Sequence, residues 1–258
     1  MKRGLARSVL ATILVPAATA TALVAAAAEP RIDPHSELTV SAAASLTAAF
    51  QAAAADFEKA HPGLEVRSNF AGSPTLVQQI LEGAPVDVFA SADEPNMQRV
   101  VDAKMVAGAP QIFARNRLAI VVQKGNPKKI ASLADLAKPG LVVALCGPAV
   151  PAGRYAREAF AKAGVKPPET SQELDVKAVA SRVVLGEADA GVVYVTDVRA
   201  AGDRAEGIDI PDPVNVVARY PIAVLEDTPH RPMADAFVAF VLGAEGRAIL
   251  EKFGFLAP

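Results

Sequence analysis

From Leu38 onward, short apolar runs alternate with longer runs in which apolar residues return every three or four positions. Leu38-Thr39-Val40-Ser41 reads as a strand. Leu46 to Ala60 follows as a helix, with Leu46, Phe50, Ala53, Ala54 and Phe57 on one face. Leu64 to Phe70 alternates apolar and polar, the period of a half-buried strand, and Thr75 to Glu82 is helical up to Gly83. Val86 to Ala90 is a buried strand, after which Ser91 or Asp93 caps a helix reaching Val101. This βαβαβα order predicts a mainly parallel sheet with helices on both faces.

A second α/β unit starts near Arg117. Leu118 to Val122 is its first strand, Gly125-Asn126-Pro127 a turn, and Leu133 to Leu136 a short helix. The strand Leu141 to Leu145 runs into the turn Gly147–Gly153. A helix from Arg154 to Ala163 then shows Tyr155, Ala159, Phe160 and Ala163 on one face. Asp175 opens another helix through Leu185, and Gly191 to Tyr194 is a strand. The Pro-rich stretch Ile210–Pro213 is a loop or linker, Tyr220 to Leu225 a last strand, and Met233–Leu242 and Glu245–Phe253 two closing helices. The organisation expected is one lobe from 29–116 plus 220–258 and another from 117–219. The chain would cross near Arg117 and return near Tyr220, leaving a hinged cleft for a ligand.

Residues 1–28 stand outside this pattern. Lys2, Arg3 and Arg7 precede an uncharged stretch, Ser8 to Ala28, that ends in small residues. This reads as a cleaved secretory signal peptide, which points to an exported, periplasmic protein. Net charge is −2 for the whole chain, and about −5 once those three cations are gone. Nothing in this balance suggests a nucleic-acid partner. Three scattered histidines and a single cysteine offer no metal-ligand spacing, and Cys146 reads as a small buried hydrophobe.

The candidate chemistry lies where strands give way to helices. Ser45, Ser73, Ala152-Gly153 and Asp175-Val176 all stand at helix starts, with Ser45, Ser73 and Asp175 as N-caps and Pro74 at the first helical position. In an open α/β sheet such positions face the crevice where ligands bind, and each presents unpaired N–H groups and about half a positive charge. Converging, they would form a receptor for an anion without Lys or Arg. Each alone is also accounted for as an ordinary cap. Tyr194, at the end of a buried strand, alone reads as a core tyrosine with a satisfied hydroxyl. Arg115, Arg117, Arg154 and Arg157 form either a rival anion clamp or, more often for such a cluster, solvated surface.

The runs VSAAASLTAAF, FAGSPTLVQQILEGAPVDVFASAD, VPAGRYAREAF and LDVKAVASRVVLGEADAGVVYVTD, then RYPIAVLE and EKFGF, occur in that order over the whole mature chain. Together they resemble the periplasmic molybdate-binding proteins of ABC importers. The resemblance implies a type II periplasmic-binding-protein fold. Two mixed, mostly parallel sheets flanked by helices would be joined by two crossing strands. It also implies an oxyanion held by neutral donors. These are the hydroxyls and N–H groups of Ser45 and Ser73, the N–H groups of Ala152 and Val176, and the Tyr194 hydroxyl. Many relatives carry further Ser where this chain has Gly72-Ser73-Pro74. Pro74 has no N–H, so backbone donation at that turn falls to Ser73 or Thr75, and Arg154 is expected to be exposed.

The function implied is capture of molybdate or tungstate and delivery to an inner-membrane ABC permease, by a monomer with no cofactor, no directly coordinated metal and no catalytic residues. Other tetrahedral oxyanions, sulfate or phosphate, are the binding alternative. A ferric–anion complex would need Tyr, His or carboxylate ligands, and only Tyr194 is a candidate. A Ser-dependent hydrolase needs a base beside the nucleophile, whereas His35, His61 and His230 lie in polar or Pro-flanked segments and neither Ser turn resembles a nucleophile elbow.

Overall fold

A computed structural model describes Met1, residues 36–166 and residues 171–258, so the expected signal peptide lies outside the described residues apart from Met1. Arg31–Pro258 form one compact unit. It opens with β1 (Ser36–Ala43), α1 (Thr47–Ala60), β2 (Leu64–Ala71), α2 (Ser73–Leu81), β3 (Val88–Ala90) and α3 (Glu94–Asp102). There follow β4 (Val106–Gln123), β5 (Val143–Cys146), α4 (Pro151–Lys162), β6 (Ser171–Glu173), α5 (Val176–Val184), β7 (Ala190–Tyr194) and α6 (Val195–Ala201). The chain closes with β8 (Ala205–Asp209), β9 (Val217–Leu225), α7 (Arg231–Leu242) and α8 (Ala244–Lys252).

The strands run in the order β2-β1-β3-β9-β4-β7-β5-β6, with β8 paired to β4. Pairing is parallel in β2-β1-β3 and in β7-β5-β6, and antiparallel wherever β4 or β9 takes part. β4 belongs to both halves. Residues 106–117 pair with β9 in one half-sheet, and residues 118–123 pair with β7 and β8 in the other. The changeover at Arg117/Leu118 is pinned by Asn215. Its Oδ1 accepts the Leu118 N–H at 3.1 Å, and its Nδ2 donates to the Leu118 and Ile210 carbonyls, each at 3.0 Å. A buried amide thus supplies pairing that a strand would otherwise provide.

Two expectations change at the element level. The strand predicted over Leu118–Val122 begins twelve residues earlier, at Val106. Gly108 and Pro110 hid the earlier part, because both discourage regular strand. The ladder accommodates them with register shifts between Ala107 and Gln111 and between Ile112 and Ala114. The helix predicted from Arg154 begins at Pro151, which takes the first helical position, where its missing N–H goes unmissed.

The aromatic core joins the chain's two ends. Phe237 of α7 packs edge-on against Phe57 and Phe50 of α1, with centroids 5.2 and 6.2 Å apart, and Phe50 meets Phe113 of β4 at 5.6 Å. Full burial of such side chains is worth about 1.5–3 kcal/mol each. The closing helices therefore hold the first half-sheet, and with it the turns that follow β1 and β2.

Candidate functional site

The turns at the C-terminal ends of β1, β2 and β3 meet those that open α4, α5 and α6 around one small cavity. All five residues singled out from the sequence line it. Ser45 and Ser73 come from the first half-sheet, and Ala152, Val176 and Tyr194 from the second. Ala43, Ala44, Gly72 and Ala92 complete one wall, and Val150, Pro151 and Asp175 the other. No Lys, Arg or His is among these residues.

Ser45 does not cap a helix. It sits inside a 3-10 turn, Ala44–Leu46, which precedes α1. Its Oγ lies 3.0 Å from the Tyr220 hydroxyl, a partner supplied by β9 across 175 residues of sequence. Tyr220 also receives Asn116 Nδ2 at 3.4 Å, and the same amide nitrogen donates to Thr196 Oγ1 at 2.8 Å. This chain of side chains ties the Ser45 turn to β4, β9 and α6.

Ser73 moves by one position. Gly72 is the N-cap of α2, Ser73 the first helical residue, and Pro74 the second. The Ser73 Oγ accepts the Ala92 N–H at 3.1 Å, so its own proton remains available to the cavity. The Thr75 N–H is already committed to the Gly72 carbonyl at 2.9 Å. With Pro74 lacking an N–H, Ser73 is left as the backbone donor of this turn.

Ala152 is the second residue of α4 and Val176 the first of α5, so neither N–H has an intrahelical acceptor. Asp175 is the N-cap of α5 as expected, its Oδ1 accepting the Ala178 N–H at 3.0 Å. Tyr194 differs from the core tyrosine that its pattern suggested. It is 1% exposed, and its hydroxyl has no partner at hydrogen-bond distance among the described residues, although Tyr220 lies close enough to interact with it. Burial drives its pKa well above the ordinary tyrosine value, so the hydroxyl is a neutral donor.

The arginines do not form a clamp. Arg157 donates to the Cys146 and Gly153 carbonyls at 2.9 and 2.7 Å, behind the α4 turn, and Arg117 pairs with Asp212. Arg115 is exposed. Arg154 is only half-exposed, contrary to expectation, because its Nη2 reaches Asp93 Oδ2 at 2.7 Å from α4 to the cap of α3. Asp93 is fully buried and also accepts the Asn96 N–H at 3.0 Å. The pair bridges the two half-sheets at the edge of the cavity. Cys146 is buried, which raises its thiol pKa and leaves it a packing residue.

A larger groove of about 700 Å³ meets the cavity at Ala44 and Ser45 and runs between α1 and α8 on one side and α5 and α6 on the other. Lys177, Arg199, Arg204 and Lys252 line it. None of the four has a carboxylate within salt-bridge distance among the described residues.

Tyr220 and Asn116 hold the Ser45 turn in place, which the sequence pattern did not disclose, since their partners lie far away in the chain. No histidine lines the cavity among the described residues. His61 bonds the Phe57 carbonyl and His230 sits beside Asp87. Among the described residues, neither serine has a histidine beside it in the cavity lining.

Residues 38–256 match the family described as bacterial extracellular solute-binding protein. The chain belongs to that family. Among relatives of this solute-binding protein, the molybdate-binding protein ModA of Mycobacterium tuberculosis (strain ATCC 25618 / H37Rv) is 43% identical over 86% of this chain and 85% of the relative. ModA of Escherichia coli (strain K12) is 34% identical over 85% of this chain and 88% of the relative. The solved periplasmic molybdate-binding protein of Azotobacter vinelandii superposes with a TM-score of 0.75 at 22% identity, covering 86% of this chain and 99% of that one. That last likeness speaks to the two-lobed fold.

Proposed function

We propose that this solute-binding protein captures molybdate, or its near-twin tungstate, between its lobes (29–116 plus 220–258, and 117–219). It then delivers the anion to an ABC permease in the membrane. The observation that carries the reading is the Tyr194 hydroxyl, a buried donor with no hydrogen-bond partner among the described residues, at a cavity lined by helix starts and two serines. Leaving such a group unmade costs about 1–3 kcal/mol, which an oxyanion oxygen would recover. Neutral donors suit a fully ionised anion that must later be released, because pairing with Lys or Arg would add to the strength of each contact. The relatives named molybdate-binding at 43% and 34% identity support the choice of anion.

The proposed donors are Ser45, Ser73, Ala152, Val176 and Tyr194. The anion is cargo, and the reading assigns no cofactor, no direct metal coordination and no catalytic step. The protein acts as a periplasmic monomer after signal-peptide removal. No helix among the described residues is long and apolar enough to cross a membrane.

One observation favours a second reading. Asp175 is the one acidic residue among those lining the cavity, and an acceptor there would suit a protonated anion such as phosphate. Against it, Asp175 is occupied as the α5 cap. Calorimetry with molybdate, tungstate, sulfate and phosphate decides between them. Molybdate and tungstate are expected to bind at micromolar concentration or tighter. Tight sulfate or phosphate binding without molybdate binding would refute the proposal.

A further inference from the structure

Gly72 stands between the two lobes, and its surroundings set a limit on how closely they approach. Its backbone, φ −58° and ψ 138°, is open to any L residue, so local conformation does not call for glycine there. Its neighbours do. A Cβ on Gly72 would lie 2.3 Å from the Leu174 carbonyl oxygen, 3.4 Å from the Leu174 carbonyl carbon and 3.7 Å from Asp175 Cβ. These are its three nearest atoms, and all belong to the segment between β6 and α5, in the opposite half-sheet. The first obstacle is a backbone oxygen, which cannot swing aside as a side chain would.

Gly72 also immediately precedes Ser73, as Leu174 and Asp175 precede Val176. The contact thus joins the two turns that carry cavity donors from opposite walls. We propose that Gly72 is a positioning residue for closure. The missing Cβ lets the β2–α2 turn seat against the Leu174 carbonyl, and this seating brings the Ser73 and Val176 N–H groups to one anion. The inference rests on the oxyanion-receptor reading above.

Gly153 provides the contrast. A Cβ there would lie 2.2 Å from the Gly147 oxygen and 2.3 Å from the Cys146 oxygen, both within its own lobe. Gly153 is needed for the lobe to fold, whereas Gly72 is needed only when the lobes meet. An alanine at position 72 therefore depopulates the closed state and leaves each lobe intact, and apparent affinity falls by the fraction of closed state lost.

The test compares the purified protein with Gly72→Ala, Gly153→Ala and Ser73→Ala by thermal melting without anion, calorimetry, and small-angle scattering with and without saturating molybdate. The wild type should bind and compact. Gly72→Ala should keep the anion-free melting temperature, bind at least about tenfold more weakly, and fail to compact fully even at saturation. Gly153→Ala should melt lower without anion, and Ser73→Ala should bind weakly yet still compact when saturated. The inference is overturned if Gly72→Ala binds and compacts like the wild type. It is equally overturned if that variant melts lower in the way Gly153→Ala does, or if the wild type binds without compacting. A wild type indifferent to molybdate, tungstate, sulfate and phosphate alike overturns the functional reading itself, and this inference with it.

Discussion

The Tyr194 hydroxyl is the residue on which stability and binding pull in opposite directions. In the conformation described here it is a buried donor without a hydrogen-bond partner among the described residues. Tyr194→Phe removes that liability, so urea denaturation of the anion-free protein should show it unchanged or more stable by up to about 1 kcal/mol. Calorimetry should show molybdate affinity lower by about 1.5–3 kcal/mol, the range for a hydrogen bond to a charged group. Ser73→Ala should lose a comparable amount of affinity but gain no stability, because its Oγ already serves the Ala92 N–H. At this scale the sequence was informative about position and less so about role. Both serines lie at the cavity, yet neither is an N-cap, because Tyr220 engages one and Gly72 takes the cap position of the other. Tyr194 as a donor came from family resemblance, since its pattern alone described a core residue. Tyr220 was invisible as a support because its contact with Ser45 exists only after 175 residues of intervening chain have folded.

Among the elements, α6 carries an unusual charge. Asp197 in its first turn is buried, and burial pushes its pKa up to about 7, although its carboxylate accepts the Tyr194 N–H at 3.0 Å. Unfolded, the same group titrates near about 3.9. Between those values the folded state holds a proton that the unfolded state lacks. Asp197 therefore lowers stability as pH rises from about 4 to about 7, at up to about 1.4 kcal/mol per pH unit. Above about pH 7 both states are ionised and its slope vanishes. Asp197→Asn should flatten that segment in a pH series of urea melts relative to the wild type, since an amide oxygen can still accept the Tyr194 N–H. Helix α6 itself went unread. Its seven residues, Val195–Ala201, are too few to show a period, and they begin with β-branched Val and Thr. Strand β8 was missed for a related reason. Its pattern is mostly exposed, and Gly207 sits where a Cβ would meet Val198 Cγ1 at 2.6 Å, so helix packing chose the residue and strand propensity did not. The longer amphipathic helices α1, α2, α5, α7 and α8 were legible to within about two residues, because each buries a continuous face.

For the molecule as a whole, net charge and local charge disagree. The chain carries −2 overall, and about −5 without Lys2, Arg3 and Arg7, which by itself would repel a dianion, and added salt would then speed association. The groove that meets the cavity at Ser45 is lined by Lys177, Arg199, Arg204 and Lys252 against the single carboxyl of Asp197, a net positive lining that attracts one. If the groove is the route of approach, stopped-flow association of molybdate should slow as salt is raised. Replacing Lys177, Arg199 and Lys252 with Gln should lower the association rate at low salt by about tenfold, near the lower end of known steering effects, and leave dissociation unchanged. Association that quickens with salt would show that the net charge governs instead. On that reading the cationic groove sets how fast the anion arrives, and the cradle, which has no Lys, Arg or His, how long it stays.

A cradle without Lys, Arg or His has a consequence for whatever receives the cargo. A cavity built from Lys or Arg would leave an empty receptor with clustered like charges, marking it electrically as unloaded. Here emptiness leaves uncharged donors, the Tyr194 hydroxyl among them, so vacancy carries no comparable charge signal. A membrane partner that must not waste its cycle on vacant copies has to distinguish them by the relative posture of the two halves. The backbone contact at Gly72 is one of the few places where that posture is written in atoms that cannot rotate away.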